Sequence, residues 1–300
     1  MMRGRVEEGV LLGPLTTLGV GGPAELLVEP RSPRDLLLAL DFFSREGVPT
    51  FFLGGGSNVL LPDEGLPGAV VRLTSQAWAV FRDPGAVVGA GYPLGRLCRE
   101  TVRRGLGGLE KLGGIPGTVG GAVFMNAGVP GAQVGDVVEK VLLWGPGRGP
   151  GWVGQKEMEF GYRYSRLQKE GLLVLAVSMR LLPRERGELE RTYEETLARR
   201  RETQPLGFPS AGSVFRNPPG DFAGRLLDRA GVKGLRRGGA EVSSRHANFI
   251  LNRGGARAED VLGLMAEMRR RVKEGFGVEL EPEICLVGSV AETWKEMADP

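Results

Sequence analysis

The sequence predicts an α+β fold in two parts, a larger one over residues 1–185 and a smaller one over residues 186–300. Three observations lead there. Short β-type runs and helical patterns mix in both halves. The 49 glycines cluster at the ends of apolar segments, where they mark tight turns. The charged stretch Pro183-Arg184-Glu185-Arg186-Gly187, flanked by breakers, is the natural boundary. Three hundred residues suit two or three compact units, and 41% hydrophobic with 25% charged residues is ordinary for a buried core.

In order along the chain, Ser32-Pro33-Arg34-Asp35 reads as a helix start, with a serine cap, proline in the first turn and an acid three residues after the serine. The helix runs through Leu36-Leu37-Leu38-Ala39-Leu40 and should stop at Gly47. Thr50-Phe51-Phe52-Leu53 reads as a buried strand leading directly into Gly54-Gly55-Gly56-Ser57-Asn58. Residues 70–73 and 86–89 are further short strands, and 94–104 is a helix ending at Gly105. A second strand-rich stretch covers 137–143 and 172–181, and a helix follows near 188–201. Val261, Met265, Met268, Val272 and Phe276 recur at helical spacing and mark an amphipathic helix whose methionines belong to the core.

Several function classes find no support. The net charge is only +3, and basic residues are scattered among acids, as in Arg184-Glu185-Arg186 and Arg199-Arg200-Arg201-Glu202. The one dense tract, Arg269-Arg270-Arg271, reads as a solvated helix face, so no nucleic-acid partner is expected. No apolar run approaches the ~20 residues of a membrane helix, and the N-terminus lacks a signal-peptide core. Cys98 and Cys285 fit neither a disulfide framework nor a C-x-x-C motif, which points to a reducing, cytosolic setting. A single histidine, His246, excludes an H-E-x-x-H zinc site and argues against a histidine triad. No metal centre is expected, and His246 reads as structural. There is no P-loop and no G-x-S-x-G elbow. Two G-x-G-x-x-G/A matches, at 19–24 and 149–154, do not open a helix after a strand and read as turns.

Two other glycine clusters carry more. Gly54-Gly55-Gly56-Ser57-Asn58-Val59 could close backbone N–H groups round a pyrophosphate, or make an ordinary tight turn. From Gly107 to Gly128, eight glycines fall in 22 residues. Such a segment is expected to lack side chains for a core and to offer its backbone to a large planar or phosphorylated ligand.

These two clusters resemble the FAD-binding domain of the p-cresol methylhydroxylase and vanillyl alcohol oxidase superfamily. More narrowly, Gly114-Ile115-Pro116-Gly117-Thr118-Val119-Gly120-Gly121-Ala122 with Met125-Asn126-Ala127-Gly128 is similar to the UDP-N-acetylenolpyruvoylglucosamine reductase family. Four further segments agree, in order, and extend the resemblance over nearly the whole chain. They are the stretch from Thr16 to Ala24, Gly161-Tyr162-Arg163-Tyr164-Ser165, Ser210-Ala211-Gly212-Ser213-Val214-Phe215-Arg216-Asn217-Pro218 and Leu280-Glu281-Pro282-Glu283-Ile284.

The resemblance implies an FAD-binding domain of two α+β subdomains, about 1–60 and 61–185, followed by a substrate-binding domain. It implies non-covalent FAD on Gly54, Gly55, Gly56, Ser57, Asn58, Val59, Gly114, Ile115, Pro116, Gly117, Thr118, Gly120, Gly121, Asn126 and Ala127, with NADPH as reductant. The implied reaction reduces the enolpyruvyl group of UDP-N-acetylglucosamine enolpyruvate to UDP-N-acetylmuramate, a bacterial peptidoglycan precursor tied to cell shape and division. Ser213 matches the family's proton donor, and Arg163 its arginine for the substrate carboxylate. Glu283 matches a glutamate that would hydrogen-bond the enolate while protonated, a role requiring a raised pKa. Tyr162, Arg216, Asn217 and Arg225 are the expected substrate contacts. Between Arg163 and Ser213 there is no long tyrosine-bearing insertion, so the chain resembles the family's shorter type. A monomer is expected, because no apolar seam stands out. A flavin oxidase on the same fold would not require the Arg163, Ser213 and Glu283 set. A non-catalytic nucleotide-sugar binder would not require Ser213.

Overall fold

The computed structural model describes residues 3–73 and 76–298. Its principal elements begin with β1 (Gly4–Leu11), β2 (Pro23–Pro30), α1 (Pro33–Arg45), β3 (Thr50–Leu53), β4 (Val59–Leu60) and β5 (Leu66–Arg72). There follow β6 (Ala79–Arg82), β7 (Gly85–Gly89), α2 (Leu94–Arg103), α3 (Val119–Phe124), β8 (Val138–Gly145), β9 (Gly149–Gly154), β10 (Leu173–Arg180) and α4 (Arg186–Thr203). The chain ends with β11 (Ser210–Ser213), α5 (Ala223–Arg229), β12 (Arg236–Arg237), β13 (Ala240–Val242), β14 (Phe249–Asn252), α6 (Ala258–Phe276), β15 (Cys285–Leu286) and α7 (Ser289–Ala298).

The chain divides into two compact units. The first holds residues up to Glu7, Leu27–Gly55 and Gly68–Arg200; the second holds Glu8–Leu26, Gly56–Pro67 and the chain from Arg201 on. The cut at 200/201 differs from the boundary expected at 185/186. The reason lies in α4, whose Leu189, Tyr193 and Leu197 lie against Gly107, Gly113 and Gly114 of the first unit.

Local chemistry explains the first unit's elements. Ser32 Oγ accepts the Asp35 N–H at 3.2 Å and donates to the Asp35 carboxylate at 2.5 Å, so α1 starts where its cap lies. It stops short of Gly47, which takes the left-handed φ of +65°. The face carrying Leu36, Ala39, Leu40 and Phe43 is buried. Strands order as β1–β2–β5–β3, with β3 parallel to β5, which delivers the chain to Gly54. A five-stranded antiparallel sheet runs β9–β8–β10–β7–β6. Val141 pairs with Val177 and Val177 with Val88, and all three are fully buried.

Two sequence expectations change here. Residues 149–154 are not a turn but the edge strand β9, paired with β8 from Lys140↔Gly154 to Gly145↔Gly149. An edge tolerates Pro150 and three glycines because one side of the strand needs no partner. The glycine segment also supplies core side chains after all. Leu109, Leu112, Val119 and Val123 are fully buried, so apolar residues between the glycines anchor the loop.

In the second unit, β11–β14–β13–β12 form an antiparallel sheet. Val261, Met265, Met268 and Val272 of α6 are fully buried in its core with Phe215 and Leu227, as the helical spacing predicts. The arginine tract is solvated only in part. Arg270 and Arg271 pair with Glu267, whereas Arg269 pairs with Glu279 and covers the Trp294 ring. His246 packs edge-on against Phe249 and accepts the Asn248 N–H through Nδ1 at 3.3 Å, and burial lowers its pKa. A short parallel pair, Val59↔Cys285 and Leu60↔Leu286, sets the stretch after the glycine loop beside the stretch after Glu283.

Candidate active site

In the first unit, Gly54 and Gly55 lie against Gly117 and Thr118. A Cβ at Gly55 would sit 2.8 Å from Gly117 Cα, and one at Gly54 would sit 2.8 Å from Thr118 Oγ1. Only glycine permits that approach of backbone to backbone. Thr118 caps α3 through the Gly121 N–H, and the Ile115 N–H closes a turn onto the Leu112 carbonyl at 3.2 Å. Among the described residues, the N–H groups of Gly55, Gly117 and Thr118 donate to no protein acceptor. A glycine-lined cradle with three unused donors fits an anionic group such as a dinucleotide pyrophosphate. Gly120 lies on Ala90 and donates to the Ala90 carbonyl at 2.8 Å. The Ala127 N–H and carbonyl are likewise taken up by Ala122 and Val134.

Asn126 turns its side chain toward protein. It is fully buried at φ +42°, a left-handed position that asparagine tolerates. Its Oδ1 accepts the Gly135 N–H at 2.9 Å, and Nδ2 donates to Gln133 Oε1 at 2.9 Å and to the Gly161 carbonyl at 2.8 Å. The carboxamide is committed to protein because the surrounding loops need it to satisfy their backbones.

That last bond secures the turn bearing Tyr162 and Arg163. Gly161 and Tyr164 exchange backbone hydrogen bonds, and Gln168 Nε2 donates to the Arg163 carbonyl at 3.0 Å. Arg163 sits at φ +52°, a strained conformation for a long side chain, held by this surrounding network. Its guanidinium lies 5.3 Å from the centre of the exposed Tyr162 ring.

Sequence reasoning missed Arg200. Its Cδ lies 3.0 Å from a Cβ position at Gly114, its Nε is buried without a partner among the described residues, and burial lowers its pKa. Tyr193, Leu197 and Arg200 share one helix face at spacings of four and three. That pattern was legible, but Arg200 sits in a mixed-charge run that reads as surface.

In the second unit, Gly56 at φ +60° lies against Leu15 and Thr16, and its carbonyl accepts the Thr17 N–H at 2.9 Å. Ser57 and Asn58 follow. Asn58 Nδ2 donates to the Glu283 carbonyl at 3.0 Å, and the Asn58 carbonyl accepts the Cys285 N–H at 3.0 Å. Ser213 ends β11 after a register shift at Gly212, whose φ of +78° turns the chain. The Val214 carbonyl then accepts the Glu283 N–H at 2.8 Å, and the Arg216 N–H donates to the Glu281 carbonyl at 2.9 Å. The segments that carry Ser213 and Glu283 therefore run side by side, with Phe215 paired to Pro282.

The remaining expected contacts are spread out. Arg216 is half-buried, and its Nε is buried without a partner among the described residues. Asn217 accepts the Ala223 N–H at 3.0 Å at the start of α5, and Arg225 is exposed and paired with Asp221. Burial pushes the Cys285 thiol up to about 11, so it is no nucleophile at neutral pH.

The glycine cradle suits the pyrophosphate of a dinucleotide, and likeness to known proteins makes the chain an FAD-dependent oxidoreductase. Residues 24–146 match the FAD binding domain family, and residues 204–287 match the C-terminal domain of UDP-N-acetylenolpyruvoylglucosamine reductase. UDP-N-acetylenolpyruvoylglucosamine reductase 2 of Symbiobacterium thermophilum is 46% identical, covering 95% of this chain and 93% of its own length. The Syntrophotalea carbinolica enzyme is 43% identical, with 94% of each chain covered. The crystal structure of the reductase MurB from Thermus caldophilus has a TM-score of 0.82 at 41% identity, covering 96% of this chain and 100% of that one. The chain belongs to the UDP-N-acetylenolpyruvoylglucosamine reductase family.

Proposed function

We propose that Arg163, Ser213 and Glu283 divide the chemistry of this chain's reaction. The chain reduces the enolpyruvyl group of UDP-N-acetylglucosamine enolpyruvate to UDP-N-acetylmuramate, with electrons from NADPH, in peptidoglycan precursor synthesis. FAD, when bound, supplies the hydride chemistry between nicotinamide and the enolpyruvyl C3. The N–H groups of Gly55, Gly117 and Thr118 would hold its pyrophosphate, within the two glycine segments that form its seat.

As C3 gains hydride, negative charge grows at C2 and spreads into the carboxylate. The Arg163 guanidinium grips that carboxylate and stabilises the growing charge. Glu283 hydrogen-bonds the enolate oxygen, and the Ser213 hydroxyl gives its proton to C2. The double bond thereby gains one hydride and one proton. The observation that carries this reading is the 2.8 Å bond from the Glu283 N–H to the Val214 carbonyl, which sets the acid beside the residue following the proton donor. Arg216, Asn217, Arg225 and Tyr162 serve the nucleotide sugar. FAD binding belongs to the N-terminal part and substrate binding to the C-terminal part. The chain works as a monomer in the cytoplasm, where two free thiols suit a reducing medium and where its product supports cell shape and division.

The test is an anaerobic absorption titration. NADPH should bleach the flavin spectrum, and UDP-N-acetylglucosamine enolpyruvate should restore it. Recovery with oxygen alone would replace this reading with an oxidase.

A further inference from the structure

Asn248 is 3% exposed, and both ends of its carboxamide face one residue. Oδ1 accepts the Phe215 N–H at 2.9 Å, and Nδ2 donates to the Phe215 carbonyl at 2.8 Å. The Asn248 carbonyl accepts the Val214 N–H at 2.9 Å. Regular pairing of β11 with β14 ends at Ser213↔Phe249, and beyond it the Asn248 carboxamide stands in for the next peptide of the partner strand. On its other side Val214 accepts the Glu283 N–H at 2.8 Å. The two residues that follow Ser213 are therefore held from both sides, and three of the bonds involve Asn248.

We propose that Asn248 is a positioning residue for proton transfer: by locking Val214 and Phe215 to their neighbours it sets where the Ser213 hydroxyl is presented. The inference rests on Ser213 being the proton donor. The residue type is demanding. Phe215 is fully buried, so leucine at 248 would leave its N–H and carbonyl unpaired. An ionised aspartate would turn a second acceptor toward the Phe215 carbonyl. Only a carboxamide, or a protonated carboxyl group, offers one donor and one acceptor at this length.

The test is Asn248→Asp, purified with FAD and studied by anaerobic stopped flow in two halves. Flavin reduction by NADPH does not need the Ser213 proton and stays within about twofold of wild type, whereas reoxidation by UDP-N-acetylglucosamine enolpyruvate slows about 10–100-fold. The solvent deuterium isotope effect on reoxidation rises as proton delivery becomes limiting. Lowering the pH from about 8 to about 5 recovers part of the lost rate, because the protonated carboxyl can again donate to Phe215, and wild type shows no such gain. Amide exchange across residues 213–216 is faster in the variant. Should Asn248→Asp not retain FAD, Asn248→Ser is measured the same way without the pH arm. Ser213→Ala is the control for the underlying reading and must slow reoxidation. Proportional loss of both halves, loss of FAD in both Asn248 variants, or unchanged reoxidation beside a slowed Ser213→Ala overturns the proposal. Unchanged reoxidation in Ser213→Ala overturns the proton-donor reading, and the role of Asn248 with it.

Discussion

Each unit buries an asparagine beneath a segment expected to do chemistry, and the two are used differently. Asn126 joins Gln133, Gly135 and Gly161, residues 7, 9 and 35 positions away along the chain. Among the described residues, Asn248 directs both ends of its side chain to Phe215 alone. The first is a clamp among loops, whose loss would free several backbones together. The second extends a strand ladder, whose loss shifts one register and the serine just before it. A buried carboxamide can thus serve stability in one place and geometry in another, according to how many segments it joins.

The contrast breaks most sharply if the turn that Asn126 clamps does no chemistry. Arg163→Ala is expected to lower kcat by about 10²–10³-fold, as for loss of a charge-stabilising donor, with the unfolding transition unchanged. Activity within a few-fold of wild type would make that turn mere scaffold. The next largest effect falls on Asn126 itself. Asn126→Leu leaves the buried Gly135 N–H unpaired and strips one of two bonds from the Gly161 carbonyl, and should cost about 1–3 kcal/mol in denaturant unfolding. Any activity lost should fall equally on both half-reactions, opposite to the split expected at Asn248. Gly55→Ala probes the same unit through backbone alone. Its Cβ would meet Gly117 Cα at 2.8 Å, and displacing that cradle should weaken FAD binding about tenfold, read by flavin fluorescence.

The smallest effect lies on the surface of α6. Hydrogen bonds from Arg270 and then Arg271 lower the Glu267 pKa from 4.5 to about 2. Because the folded value is depressed, the stabilisation is present at neutral pH and disappears as pH falls from about 4.5 toward 2. For so accessible a cluster, Glu267→Gln should cost about 0.5 kcal/mol or less at pH 7, and nothing at the acid end. A larger cost would show that the arginine tract is a structural ion-pair network.

Much of the architecture was legible because the signals were local. The serine cap and terminal glycine of α1, the strand before Gly54 and the buried stripe of α6 each depend on neighbours within a few residues. The ordered glycine, arginine, serine and glutamate segments pointed to the chemistry before any fold was known. Residues 149–154 misled because an edge strand rich in glycine and proline has the composition of a turn. The 107–128 segment misled because its glycine density hid the leucines and valines that anchor it. Arg200 misled because it lies in a surface-like run but faces a glycine.

The sequence by itself determined the elements and the order of the motifs, since caps, periodicity and residue types act at short range; the kind of chemistry followed from the family those motifs resemble. Only the tertiary structure decided that α4 belongs with the first unit and that segments near residues 15 and 60 belong with the second. It also decided that Glu283 sits beside Val214 and that two asparagines are committed to backbone. These are long-range pairings, and a buried polar side chain carries no mark in the sequence of the partner it will meet.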